Sequence, residues 1–194
     1  MTFGRRCRKF RRRMRADANK GSAAIEFAMV APIFFVLLLG IFEAAIIFFS
    51  QAALQNAMTD MGRLIRTGQV NCYTMSGGNC VAMTKPQFRT EMCAKVSPLI
   101  ACDTNLQIDV QAYSNYGAAN FNSPLNANGT LNTNLNNYIT GNACDVVLAR
   151  TFYTWPVVTP VLSWFLVNMA GNKHLLTAAT AFRNEPYTAA AGGC

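Results

Sequence analysis

Charge is scarce in this chain. Only 13% of its 194 residues are Asp, Glu, Lys or Arg, against roughly 25% in a typical soluble domain. Histidine is scarcer still. His174 is the only one, and because it opens an apolar stretch it reads as structural or superficial rather than catalytic. There is no HExxH, GxxxxGK(S/T) or GxSxG pattern and no CxxC pair. The usual sequence grounds for a zincin, a nucleotide P-loop, a serine hydrolase, a zinc ribbon or a redox dithiol are therefore missing. We expect no enzyme, no cofactor and no metal site. Asp103, Asp109 and Asp145 lie near strand starts and read as turn caps in preference to a weak calcium site.

The charge that exists is lopsided. Residues 1–21 hold nine of the 17 basic residues and one of the nine acidic ones, a local net of +8, while residues 22–194 hold eight of each sign and sum to zero. A nucleic-acid binder needs its basic face on the folded body. This body has none, so no nucleic-acid partner is expected and the positive charge belongs to an N-terminal leader.

Hydrophobicity is abundant where charge is absent. From Phe27 to Phe49 the chain carries a single charged residue, Glu43. These 23 residues make about 34 Å of helix, enough for a hydrocarbon core of ~30 Å. Phe34, Phe35, Leu37, Leu38, Leu39 and Ile41 leave no polar face for water, which favours a membrane span over a buried core helix. The run is longer than a signal-peptide core, and Glu43 stands where a cleavage site would fall. The segment therefore reads as a single-pass anchor. Basic residues flanking a span stay in the cytoplasm, so residues 1–21 form a cytoplasmic leader and residues 50–194 are exported.

Beyond the span, Leu54, Ala57, Met58, Met61, Leu64 and Ile65 recur at helical spacing and form one apolar stripe. The helix is expected over 22–67, about 69 Å long, with Gly68 as its C-cap, Asp60 and Arg63 paired one turn apart, and a kink or frayed turn at Pro32. The stripe should seat a distal α+β domain over 68–194. A second helix fits 85–97, capped by Thr84 and ended by Pro98. Strands are expected at 106–113, where apolar and polar residues alternate, at 145–154 and at 174–183. Between the first two lie ten asparagines from Asn115 to Asn142, a loop composition. Asn128-Gly129-Thr130 within it reads as a loop turn. Residues 155–170 are apolar but interrupted by Pro156 and Pro160. A short helix at about 160–169 should either cover the sheet or rest on the membrane or a neighbour, with Trp155 and Trp164 as amphipathic anchors.

Cys7 lies in the leader. The six exported cysteines, Cys72, Cys80, Cys93, Cys102, Cys144 and Cys194, suit disulfides in an oxidising compartment, and 15 connectivities are open. Cys93–Cys102, across Pro98, ranks first. Cys72–Cys80, around Gly77-Gly78, ranks second and leaves Cys144–Cys194. Arg183 and Glu185, at a strand end, are expected to pair with Arg63 or Asp109.

Gly21, four residues, Glu26 and an apolar helix together resemble the type IV prepilin processing signature. Residues 21–70, through Gly21, Glu26, Phe27, Pro32, Glu43, Arg63-Leu64 and Thr67-Gly68, resemble the TadE-like family of tight-adherence (Flp-type) pilus assembly proteins. The blocks at 108–111, 153–156 and 181–186 (AFRNEP) carry the resemblance to the C-terminal end. The Asp-x-Ser-x-Ser metal pattern of larger von Willebrand A-type relatives is absent. The resemblance implies a pilin-like fold and a minor pseudopilin of a bacterial inner membrane with a periplasmic domain, either held at the membrane or incorporated in a surface pilus. It further implies cutting after Gly21 by a prepilin peptidase, and partners among other pilus subunits and the assembly platform. Ser22 would then carry a free amine that Glu26 neutralises, while Glu43 either snorkels to the outer interface or contacts a subunit. The alternative is a membrane-tethered periplasmic ligand-binding module or enzyme, for which neither Gly21 nor Glu26 is needed.

Overall fold

The structure, a computed structural model, describes residues 3–102, 105–159 and 163–187, with side chains from Gly21 onward. It is an α+β chain that divides into two units, Met1–Glu43 and Ala44–Cys194. The first helix, α1 (Phe3–Arg66), begins within the basic leader and not at residue 22. The Arg, Lys, Met and Ala residues there are good helix formers, which explains the early start. Helix α1 also runs through Pro32 without a frayed turn, one of the two outcomes expected there beside a kink.

In the first unit, Phe27, Ile33, Phe34, Leu37, Ile41 and Phe42 are each more than half exposed. Among the described residues, Gly21–Arg66 is the one helix long and apolar enough to cross a membrane.

The second unit is built on the end of α1. Leu54, Ala57, Met58, Met61 and Ile65 are buried and Leu64 packs beside them. The domain expected over 68–194 thus takes in the helix that seats it, from Ala44 on. A 3-10 turn (Gln69–Cys72) leads into a small hairpin, β1 (Thr74–Ser76) and β2 (Asn79–Val81). The second helix, α2 (Lys85–Val96), is capped by Thr84, whose N–H donates to Gln87 Oε1 at 2.8 Å. Its Phe88, Met92 and Val96 are buried.

Strands β3 (Leu106–Tyr113), β4 (Val146–Pro156) and β5 (Lys173–Arg183) form one antiparallel sheet in the order β3-β4-β5. One face packs on α1 and α2: the Thr151 hydroxyl in central β4 lies 3.1 Å from Met58 Sδ and 3.5 Å from Met92 Sδ. On the other face Leu135, Phe152, Met169 and Leu175 form a second small core. The described part of helix α3 is one turn, Ser163–Leu166, which ends short of the expected residue 169. The rest of the expected 160–169 segment includes residues 160–162, outside the described set.

Both sheet edges are covered in their middle stretch. On β5, Gln51 gives its Nε2–H to Thr177 O (2.6 Å) and accepts from Thr177 N–H (3.2 Å), and Gln55 repeats this with Ala179 at 3.1 and 3.3 Å. Two glutamines one helical turn apart thus replace a missing strand. On β3, the Val110 N–H donates to Asn137 O and the Ile139 N–H to Val110 O. The Asn-rich segment is therefore a fitted cover, although it forms no long strand. Occupied edges resist edge-to-edge pairing.

Candidate processing and assembly segment

The residues singled out near the N-terminus lie on consecutive turns of α1. Glu26 follows Ser22 by one turn, and the Ser22 hydroxyl donates to Glu26 Oε1 at 3.1 Å. The carboxylate thus sits beside residue 22. A Cβ added at Gly21 would meet nothing among the described residues within 4 Å. Since glycine inside a helix costs about 1 kcal/mol relative to alanine, the fold supplies no reason for Gly21. Pro32 is exposed, and Glu43 is half-buried.

Residues 21–63 match the TadE-like protein family. The TadE-like segment includes Gly21, Ser22, Glu26, Pro32, Glu43 and Arg63. No curated protein and no solved structure matches the chain. The family is a pilus-associated structural one and not a family of enzymes; it links the chain to tight-adherence pilus assembly, and the apolar helix is compatible with a single-pass membrane anchor.

The end of the TadE-like segment is fastened to the distal AFRNEP block. A Cβ at Gly62 would lie 2.8 Å from Thr180 Cγ2 and 3.1 Å from Phe182 Cε1, so glycine permits this close helix–strand approach. Arg66 pairs with Glu185 at 3.1 Å, and its carbonyl accepts from the Glu185 N–H. Gly68 ends the helix at φ +73° with its N–H on Ile65 O, and the Tyr187 ring covers it. Asn184 is buried and donates to Thr140 O and Asn142 O. Two sequence blocks far apart in the chain are thereby one structural lock. The expected partners differ: Glu185 takes Arg66 in place of Arg63 or Asp109, and Asp60 takes Lys95 of α2 at 2.9 Å in place of Arg63. Asp60 is thus paired with another element instead of its intrahelical neighbour, while Glu185 meets the last residue of α1.

Asp109 is a correction. It is no turn cap but a fully buried residue inside β3, paired in register with Arg150 of β4. Arg150 Nη2 donates to Asp109 Oδ2 at 2.7 Å, and Nη1 donates to Asn122 O at 3.0 Å. Gln111 Nε2 and both nitrogens of Asn137 complete the carboxylate's shell at 3.0–3.1 Å. Burial alone would raise the Asp109 carboxyl, but the hydrogen bonds from Arg150, Gln111 and Asn137 outweigh it and hold the group below its ordinary value. Every acceptor site is filled by this chain, so the cluster is structural. Asp145 does cap a turn, accepting from Asn142 N–H at 2.7 Å; Asp103 lies outside the described residues.

His174 is likewise occupied, its Nδ1–H donating to Leu166 O. Among the described residues no group of three His, Cys, Asp or Glu could hold a metal ion. Disulfides join Cys72 to Cys80 and Cys93 to Cys102. Cys144 is also disulfide-bonded, and its expected partner Cys194 lies outside the described residues, as does Cys7 in its side chain. Gln51, Gln55 and the Asp109–Arg150 pair escaped the sequence reading. An arginine amid the apolar residues of β4 was the available signal, since a buried charge requires a partner.

Proposed function

We propose that this protein is a minor pseudopilin of the tight-adherence pilus, anchored in the inner membrane with its C-terminal domain in the periplasm. In this reading a prepilin peptidase cuts it after Gly21. The observation that carries it is the Gly21–Ser22–Glu26 arrangement within the TadE-like segment: a glycine with no packing role, followed by a carboxylate held against residue 22. Hydrolysis of the Gly21–Ser22 bond, with the peptidase's own acids and a water, leaves a carboxylate on Gly21 and an ammonium on Ser22. The leader takes with it a side-chain net of +8, and what remains carries eight charged side chains of each sign.

The new ammonium lies one helical turn from Glu26, in its own chain or a neighbour's. Such a pair is tolerable in a low-dielectric setting, whereas either charge alone is costly. The pair can therefore set the register of apolar helices as they leave the bilayer. The partly covered sheet edges fit the same picture, because they disfavour strand pairing between subunits and favour contact through the exposed apolar helix. The test is Gly21→Ala in cells carrying the complete pilus system. A peptidase that approaches the backbone at residue 21 is obstructed by a side chain there, so the variant should accumulate at precursor size on immunoblots. Maturation at the wild-type rate would overturn the processing step.

A further inference from the structure

One end of the sheet carries aromatic side chains that are largely exposed. Trp164 and Phe165 of α3 are 74% and 67% exposed, their ring centroids 3.7 Å apart, and Val158, two residues past the end of β4, is 78% exposed. The turn that bears them is tied down. Leu166 O accepts from His174, Asn168 N–H and Met169 N–H donate to Lys173 O, and Asn168 Oδ1 accepts from Leu175 N–H at 2.6 Å. The chain just after these rings is thereby fastened to the start of β5.

Their height along α1 can be worked out from the glutamine rungs. Thr177 is level with Gln51 and Ala179 with Gln55. Two strand residues advance about 6.6 Å while four helix residues advance about 6 Å, so β5 runs alongside α1 at matched rise. The contacts of Gly62 with Thr180 and Phe182, and of Arg66 with Glu185, continue the same alignment. His174 stands three residues before Thr177, about 10 Å lower, which is the height of Ala44. Trp155 faces His174 in the sheet. At that end of α1, Ile46, Phe48 and Phe49 are also 47–74% exposed. The aromatic end of the sheet is therefore level with the last turns of the apolar run.

We propose that this end of the domain rests on the bilayer: Trp164 and Phe165 insert into the lipid interface from which α1 emerges, giving the domain a second membrane contact. Tryptophan suits this position because its large ring joins an apolar body to a polar edge, the character enriched at membrane interfaces. Exposed Lys173, at the same end, can lay its stem on the apolar surface with its ammonium among the phosphates. The partner is the lipid surface itself. The inference rests on the membrane-anchor reading given above.

The full-length protein, reconstituted into phosphatidylcholine vesicles, tests it. Lipid brominated on the acyl chain near the headgroup quenches tryptophans at the interface. The intensity lost in the wild type minus that lost in W164F reports Trp164. The intensity lost in F121W/W164F minus that in W164F reports a tryptophan at an exposed site next to Asn122. Asn122 touches Arg150, which faces Ala179, about 16 Å along β5 from His174. The first difference should exceed the second several-fold; equal differences overturn the proposal. Alkaline carbonate extraction separates the two ways of failing. Protein that washes off the vesicles refutes the anchor and this contact together, whereas protein that stays with unquenched Trp164 refutes this contact alone.

Discussion

Removing the charge of Asp109 is the sharpest perturbation of the domain. Its Oδ1 accepts from Gln111 and from both nitrogens of Asn137, and its Oδ2 accepts from Gln111 and Arg150. In Asp109→Asn the new amide nitrogen faces donors whichever way it is turned, and Arg150, only 6% exposed, loses its counter-charge. Breaking one side of a buried pair costs about 3–5 kcal/mol. At 3 kcal/mol the folded-to-unfolded ratio falls roughly 150-fold, and Tm drops by about 6–12 °C for a chain of this size. Denaturant unfolding of the full chain in detergent, followed by the fluorescence of Trp155 beside Tyr153, measures it. Arg150→Met should cost a similar amount, and the double variant should fall short of the sum by about 2 kcal/mol, because the two changes break one interaction. A loss below about 1 kcal/mol in D109N, or simple additivity, would refute the reasoning. The pH dependence has a definite sign. Because the carboxyl is held below its unfolded value, its contribution is present above that value, near pH 3.9, and is lost as pH falls through the lower folded value. D109N should remove that acid-side loss.

Two further outcomes follow from other parts of the chain. Gly68→Ala should destabilise the domain by about 1–2 kcal/mol from the left-handed backbone alone, and by more because its Cβ would lie 2.5 Å from the Tyr187 ring; the same unfolding assay reads it. Glu26→Gln should leave membrane level and disulfides unchanged while reducing surface pili several-fold by electron microscopy. Normal piliation at normal membrane level would make Glu26 an ordinary interfacial carboxylate.

Much of the architecture was legible because its signals are local. Helix α2 carries its own start and stop in Thr84 and Pro98, and the three long strands carry their pattern within eight to eleven residues. The hairpin β1–β2 was not legible: its strands are three residues each and exposed throughout, so no burial pattern marks them. Asp109 was misread as a turn cap because it falls among the polar positions of the alternating β3 segment, near its start. Its burial depends on the Asn-rich segment folding back over it through Asn137, a contact 28 residues away in sequence. Gln51 and Gln55 looked like the polar side of an amphipathic helix; their role appears only once β5 lies alongside. The N-terminal residues are the reverse case, since Gly21 and Glu26 were conspicuous in the sequence while the fold itself makes no demand on Gly21.

The central claim is that the chain matures between Gly21 and Ser22, and intact-mass spectrometry of the protein extracted from membranes of cells with a working pilus system tests it most directly. The account predicts a chain beginning at Ser22, with every residue of the basic leader gone. A mass that retains Met1 to Gly21 would contradict it and leave a tethered domain in place of a pseudopilin.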